Sequence, residues 1–321
     1  MRSIVTLLTL AVTCVSGNTH AQTYPTRPLR MVVAFAPGGN IDITARTIAP
    51  GLGEVLGQTV VVDNRGGAGG RIGTDLVAKA APDGYTLLMG SSGALTISPA
   101  FLDAMPYDTL KDFAPTSLVA VVPLALAVHP TLPARTLKDF MALARGRAGR
   151  LTMGSAGTGT NSHLCGELFQ NHTGLRFVHV PYKGSAPALI DIMGGQVDLL
   201  FDQLTTTLPL LKSGKLRTLA VTTPQRSSLL PEVPTLHESG LKGLDVSTYT
   251  GVMLPAATPK EITGKVHAAL IQVLSRPATR DAFARLGADV LKSTPEEFQQ
   301  RLKADIERWS KLRKVTDIRI E

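Results

Sequence analysis

Residues 117–128, SLVAVVPLALAV, are apolar at nearly every position, with Pro123 inside the run. That is long for a single strand, which averages about 5–6 residues, and too short for a membrane-spanning helix, which needs about 20. A segment of this kind fits a strand that crosses from one packed body to another. The run 245–254, DVSTYTGVML, is the natural return crossing. Two crossings divide the chain into a discontinuous first lobe, residues 22–122 with 247–321, and an inserted second lobe, residues 123–246. A chain of 321 residues is long enough for two such bodies.

Strands and helices alternate within both lobes. Residues 29–35 read as a buried strand that runs into the turn APGGNID. A helix follows, with Ile43, Ile48, Leu52 and Leu56 at helical spacing. Strands at 60–62 and 86–89 and a helix from 72 to 81 complete this part. The second lobe repeats the pattern. Leu151 and Met153 lead into the loop GSAGTGTNS, and Leu164, Leu168 and Phe169 mark the helix after it. Strands at 177–180, 197–201 and 216–221 follow, with a helix at 188–193 and a proline-rich surface loop at 226–238. The last third is helical. Thr258-Pro259-Lys260-Glu261 and Thr294-Pro295-Glu296-Glu297 each place a capping Thr before Pro at the first helical position. Phe298, Leu302, Ile306, Trp309 and Leu312 line the final helix as a packing face. Such alternation predicts an α/β fold with mainly parallel sheets flanked by helices.

Ligands of such sheets bind beyond the carboxyl ends of the strands. The loops at 36–42, 90–93, 154–163 and 181–185, together with Asp202, all fall there. Two lobes presenting them to each other form a closing cleft. The loops at 36–42 and 154–163 share a further property, since each opens a helix. The first N–H groups of a helix have no partner inside it and lie at the positive end of the helix dipole. Ser155, Thr158, Thr160 and Ser162 add hydroxyls beside those donors. The combination is a neutral socket for a small anion such as a carboxylate. Asp42 is placed to cap the first of these helices, and Pro37 stiffens the turn before it.

Other chemistries fit the sequence less well. A dinucleotide fingerprint begun at Gly67 requires glycine at 72 and meets Ile72, and one begun at Gly157 meets Ser162. No Lys-Ser or Lys-Thr follows either loop, so there is no phosphate-binding P-loop. The histidines form no pair or cluster at zinc spacing, and no metal or other cofactor is expected. The net charge is +8, but the basic residues are dispersed and lack interleaved aromatics, against nucleic-acid binding. Ser155 follows a strand outside any GxSxG context, with His163 as its one candidate base. His163 is better read as a hydrogen-bonding group that holds the loop. Asp42 and Asp202 are better read as orienting loops, waters or an amino group than as acid and base.

The first 21 residues read as a cleaved signal peptide. Arg2 precedes an apolar stretch at 4–15, and small residues lead to Ala21. The mature chain is then exported to the periplasm. Cleavage removes Cys14 and leaves Cys165, so no internal disulfide can form. Cys165 is expected to be a small buried apolar residue.

The ordered segments VAFAPGGNIDITAR, VVVDNRGGAGGRIGTDLVAKAAPDGYTLLMGS, MPYDTLKDFAP, GSAGTGTNSHLCGELF, HVPYKGSAPALIDIMGGQVDLLFD, SGKLRTLAVTT, PEVPTLHESG and LPAATPKEI cover essentially the whole mature chain. This series resembles the receptors of tripartite tricarboxylate transporters, the Bug-type periplasmic solute-binding proteins. The resemblance implies a two-lobed type II periplasmic-binding-protein fold, a Venus flytrap that closes on a di- or tricarboxylate or related organic acid. It implies no catalysis, a monomer, and delivery of the solute to permease subunits in the cytoplasmic membrane. It also implies that carboxylates are held by Phe35, Pro37, Gly38, Gly39 and Asp42 of the first loop. Their counterparts in the second are Ser155, Gly157, Thr158, Gly159, Thr160 and His163, with Ser91, Tyr182 and Asp202 completing the pocket. The chain departs from the family pattern at Asn40-Ile41, where a Ser-Thr pair is common, and at Tyr249-Thr250-Gly251; both bear on the identity of the ligand. Two other readings stand beside this one: an exported hydrolase using Ser155 and His163, and a ligand-presenting partner of a sensor kinase.

Overall fold

The protein is described from a computed structural model covering residues 24–320; residues 1–23, with the expected signal segment, and Glu321 lie outside the described residues. Strands β1 (Leu29–Val33), β2 (Val60–Asn64) and β3 (Thr86–Ser91) are parallel neighbours in the order β2-β1-β3. They are separated in sequence by helices α1 (Asn40–Leu56) and α2 (Arg71–Ala78). A short helix α3 (Ser98–Phe101) precedes β4, which runs unbroken from Phe113 to Val128. Beyond it lie α4 (Leu137–Gly146), β5 (Thr152–Ser155), α5 (Asn161–Thr173), β6 (Val178–Pro181), α6 (Ser185–Met193), β7 (Leu199–Gln203), α7 (Leu204–Lys212) and β8 (Arg217–Val221). The chain returns along β9 (Ser247–Pro255) and ends in α8 (Lys260–Ser275), α9 (Pro277–Arg285), the two-residue β10 (Asp289–Val290) and α10 (Pro295–Val315).

The long apolar run at 117–128 lies within β4, and its pairing changes along its length. Residues Phe113 to Pro123 pair with β9, and Leu124 to Val128 pair with β7 and β8. The resulting strand order is β2-β1-β3-β9-β4-β7-β5-β6, with β8 and β10 also on β4. The outer strands are parallel in both regions, as the alternation predicts. The centre is not: β3–β9, β4–β9, β4–β7, β4–β8 and β4–β10 are antiparallel. The sheet is therefore mixed. The expectation of mainly parallel sheets fails at the crossings, because β4 and β9 run past each other in opposite directions and no crossover helix joins either to its neighbour.

Side chains alternate across the sheet with the strand period of two. Met31, Val33, Leu87, Met89, Val252 and Leu254 face one core, which is closed by Ile48 and Leu52 of α1 and Leu270 and Val273 of α8. Val32, Leu88 and Met253 face the other side and meet Val77 of α2 with Phe298 and Leu302 of α10. In the second region Leu126, Met153, Leu199 and Phe201 pack on Leu164, Leu168 and Phe169 of α5. Cys165 is fully buried there, as expected of a small apolar residue, and burial pushes its thiol above the ordinary range. Each such buried side chain contributes about 1.5–3 kcal/mol relative to exposure.

The final helix does not present its apolar face to one core. Phe298 and Leu302 belong to the first region, whereas Trp309 and the trailing Ile318 and Ile320 are buried in the core around α5. Its start carries the expected capping box of Thr294 and Glu297. The parallel expectation at Thr258 is not met: α8 begins after Pro259 without a side-chain cap, and Thr258 Oγ1 donates to the Pro255 carbonyl instead. Among the described residues no helix is long and apolar enough to cross a membrane.

Candidate functional site

The two glycine loops converge on one place. After β1 the chain turns through Gly38 at φ +78, a left-handed conformation that favours glycine, and α1 starts at Asn40. Asp42 does not cap the helix from its N-cap position. Its Oδ2 accepts the Gly38 N–H at 2.9 Å, its two oxygens accept Arg46 Nε, and its Oδ1 accepts Asn64 Nδ2. Burial alone would raise this carboxyl, but the Arg46 guanidinium, the Gly38 N–H and the Asn64 amide outweigh it and hold the group below the usual carboxylate range. Asp42 thus fixes the loop as an anion already committed to protein donors.

After β5 the chain passes Gly157 (φ +126) and Gly159 (φ +81) and enters α5. Thr160 is the N-cap, accepting the His163 N–H and donating to the Gly157 carbonyl at 2.7 Å. Ser155 accepts the Gly157 N–H at 3.1 Å. Its hydroxyl shares a 2.7 Å hydrogen bond with His179 Nε2 of β6, so His163 is not its partner. The ring of His163 stacks on that of His179 with centroids 3.7 Å apart, and its Nδ1 accepts the Gly159 N–H. Burial and the neighbouring His163 push His179 down to about 3, so the pair is uncharged on the His179 side at neutral pH. Ser155, His163 and His179 together brace the loop from behind.

Contacts between the two regions bring the loops together. Ala36 N–H donates to the Lys183 carbonyl at 3.0 Å, Ser98 Oγ to the Gly159 carbonyl at 3.2 Å, and Ser92 Oγ to Asn161 Oδ1 at 3.1 Å. The space that remains between the loops is about 20 Å³, the scale of a single water. Phe35, Gly39, Asn40, Ile41 and Ser91 border it from the first region. Ala156, Thr160, Asn161, Ser185 and Gln203 border it from the second, and Thr248 of β9 closes it. No charged side chain is among them.

Of the residues expected in the pocket, Phe35, Gly39, Ser91 and Thr160 stand in this wall. Pro37 and Gly38 shape the turn behind it. Gly157, Thr158 and Gly159 form a lip that meets the first region at Gly69 and Ser98. Tyr182 is placed elsewhere: its hydroxyl donates to Asp191 at 2.5 Å, and with Pro37 and Ile190 it borders an outer apolar groove. Asp202 lies one layer back. It accepts Ser185 Oγ at 2.7 Å and Thr206 Oγ1 at 2.8 Å, and burial pushes it up to about 6 against those hydrogen bonds. Asn161, Ser185, Gln203, Thr248 and His179 were not expected at the site. Asn161 and Ser185 carry a legible signal, since each is the first residue of a helix that follows a strand-end loop. Among the described residues no group of three or more His, Cys, Asp or Glu side chains could hold a metal ion.

The family model for the tripartite tricarboxylate transporter family receptor matches residues 44–318. The chain is similar to the solved periplasmic binding protein BugD, with a TM-score of 0.88 and 38% identity over 91% of this chain and 98% of that one. It is similar to Rpa4515 of R. palustris, solved with adipate, with a TM-score of 0.88 and 37% identity over 91% of this chain and 97% of that one. A third similar structure is MatC from Rhodopseudomonas palustris with bound malate, at a TM-score of 0.87 and 32% identity over 90% of this chain and 99% of that one.

Proposed function

The chain belongs to the family of tripartite tricarboxylate transporter receptors, solute-binding proteins of the periplasm rather than enzymes, and on that premise we propose that it captures a small dicarboxylate or related organic acid between its two glycine loops. The observation that carries the reading is the convergence of the helix starts of α1 and α5 on one small space lined by neutral donors. Unpaired N–H groups at a helix start stabilise an anion without a counter-charge. Closure removes water from around the ligand, so that each hydrogen bond to its charge contributes about 1.5–3 kcal/mol. The bound adipate and malate of the two similar structures are dicarboxylates, which supports the same class of solute here.

The two regions act as lobes, residues 22–122 with 247–321 and residues 123–246. The change of β4 partners after Pro123 supports that boundary. The space of about 20 Å³ corresponds to a shut cleft, which opens to admit its solute. The loaded receptor then delivers the solute to the permease subunits of a tripartite transporter, having reached the periplasm through a signal peptide cleaved after Ala21. The hydrolase reading lacks support in the geometry, because Ser155 is 1% exposed and already accepts a backbone N–H.

Calorimetry and thermal unfolding of the mature chain with malate, adipate and citrate test the proposal. At about 100 times its dissociation constant a ligand adds roughly 2.7 kcal/mol, a rise of several degrees, and is recovered unchanged. Failure of every such acid to bind overturns the reading, and consumption of the acid returns the hydrolase.

A further inference from the structure

Asn40 is the first residue of α1 and is 2% exposed. It borders the cleft. Its Oδ1 accepts a hydrogen bond from Thr205 Oγ1 at 2.7 Å, and Thr205 stands in the first turn of α7 in the other region. That bond orients the amide: with the oxygen turned to Thr205, the nitrogen is directed away from it. Asn40 Nδ2 is buried and has no hydrogen-bond partner. Burying an amide donor without an acceptor is unfavourable, and such groups in folded proteins call for an explanation.

The other side-chain amides around the same space are committed, and so are the hydroxyls of Thr160 and Ser185; those of Ser91 and Thr248 keep a proton that can rotate. Thr160 donates to Gly157, Asn161 Nδ2 to the Ser247 carbonyl, Ser185 to Asp202 and Gln203, and Gln203 Nε2 to Thr248. The nearby carboxylates are committed as well, Asp42 to Arg46 and Asn64, and Asp202 to Ser185 and Thr206. Asn40 Nδ2 is therefore the one amide donor at the cleft left without an acceptor, fixed in direction where the Ser91 and Thr248 hydroxyls can rotate, and no unengaged carboxylate stands there to receive an ammonium group.

The geometry points to Asn40 as the residue that discriminates among solutes: its Nδ2, oriented by Thr205 when the lobes close, donates to an oxygen of the bound acid, and the solute is an organic acid without an amino group at that position. This rests on the reading of the chain as a carboxylate receptor. An ammonium group placed there would face a donor and lose its water without gaining an anion. A hydroxyl, carbonyl or carboxylate oxygen would satisfy the orphan amide. Because Thr205 comes from the opposite lobe, the donor is aimed only in the closed arrangement, which couples recognition to closure.

Calorimetry of the mature protein with malate, succinate, adipate and aspartate tests this. Malate and aspartate differ in bearing a hydroxyl or an ammonium group on the same carbon. Wild type is expected to bind at least one of the three acids lacking an amino group, and aspartate at least tenfold more weakly. Asn40→Ala is expected to lose at least tenfold in affinity for the bound acid, and Asn40→Asp more, through repulsion. Thr205→Val conserves volume and removes the orienting hydroxyl; a loss of about threefold or more is expected, and none when it is added to Asn40→Ala. Should Asn40→Ala not fold, Thr205→Val gives the same reading. If wild type binds but Asn40→Ala or Thr205→Val binds within twofold of it, or aspartate binds as tightly as malate, the inference is wrong and the receptor reading stands. If wild type binds none of the acids, the receptor reading falls and the inference with it.

Discussion

Gly69 stands against Thr158 so closely that a Cβ added to it would lie 1.9 Å from the Thr158 carbonyl oxygen. The two residues belong to opposite regions, and Gly69 is held at φ +63 in the loop before α2. An alanine there has no flexible neighbour to displace, only backbone. Gly69→Ala is expected to leave both lobes folded and to keep them apart at the lip. Affinity for malate, if malate is the bound acid, should fall at least tenfold, about 1.4 kcal/mol. The ligand-free melting temperature should change by no more than a few degrees. Calorimetry, with small-angle scattering of the ligand-saturated protein, measures both. Unchanged affinity would show that closure at this contact is dispensable.

Half-buried His179 and buried Asp202 respond to acid in opposite senses. His179 is pushed down to about 3 from its ordinary 6.5, so the unfolded chain takes up a proton first as pH falls. Its effect is to remove stability between about pH 6.5 and 3. Asp202 is raised from 3.8 to about 6, so the folded chain takes up the proton first. Its stabilising contribution is full below 3.8 and is lost as pH rises through 6. Asp202→Asn should therefore raise the melting temperature more at pH 7.5 than at pH 5. Thr206 can adapt, since its hydroxyl also donates to the Gln203 carbonyl. His179→Gln should flatten the acid side of the stability profile. Circular dichroism melts across pH 4–8 read both variants, and an unaltered acid side in His179→Gln would remove that histidine from the account.

Phe298 is fully buried, and its ring fills the place where a Gly251 side chain would stand, with ring atoms 2.4 Å from an added Cβ. Phe298→Ala opens that cavity beside the centre of β9. A loss of about 3–5 kcal/mol is expected, read from urea denaturation with an unchanged slope. A loss below about 1 kcal/mol would mean that the neighbouring side chains collapse into the space.

The helix starts at the two glycine loops were legible because strand, small residues and helix follow one another within a few residues. Strand β4 was legible as an apolar run too long for an ordinary strand, and 245–254 as the segment that returns beside it. The antiparallel centre of the sheet was not, since nothing local in residues 247–255 states that they lie against β3 and β4. The same distance hides the wall of the site. Thr248 reaches Gln203 across 45 residues and Asn40 reaches Thr205 across 165, so neither pair has a signature in sequence. Ser155 shows the limit most clearly. A serine after a strand with a histidine eight residues on suggested a pair, whereas its partner is His179, brought alongside because β6 is the parallel neighbour of β5.

The final helix completes both halves of the molecule: Phe298 and Leu302 close one core, and Trp309, Ile318 and Ile320 close the other. Both interiors thus share one continuous helix, Pro295–Val315. A substitution that displaces Phe298 or Leu302 is carried along the helix to the packing of Trp309, so neither core can be loosened without a cost to the other.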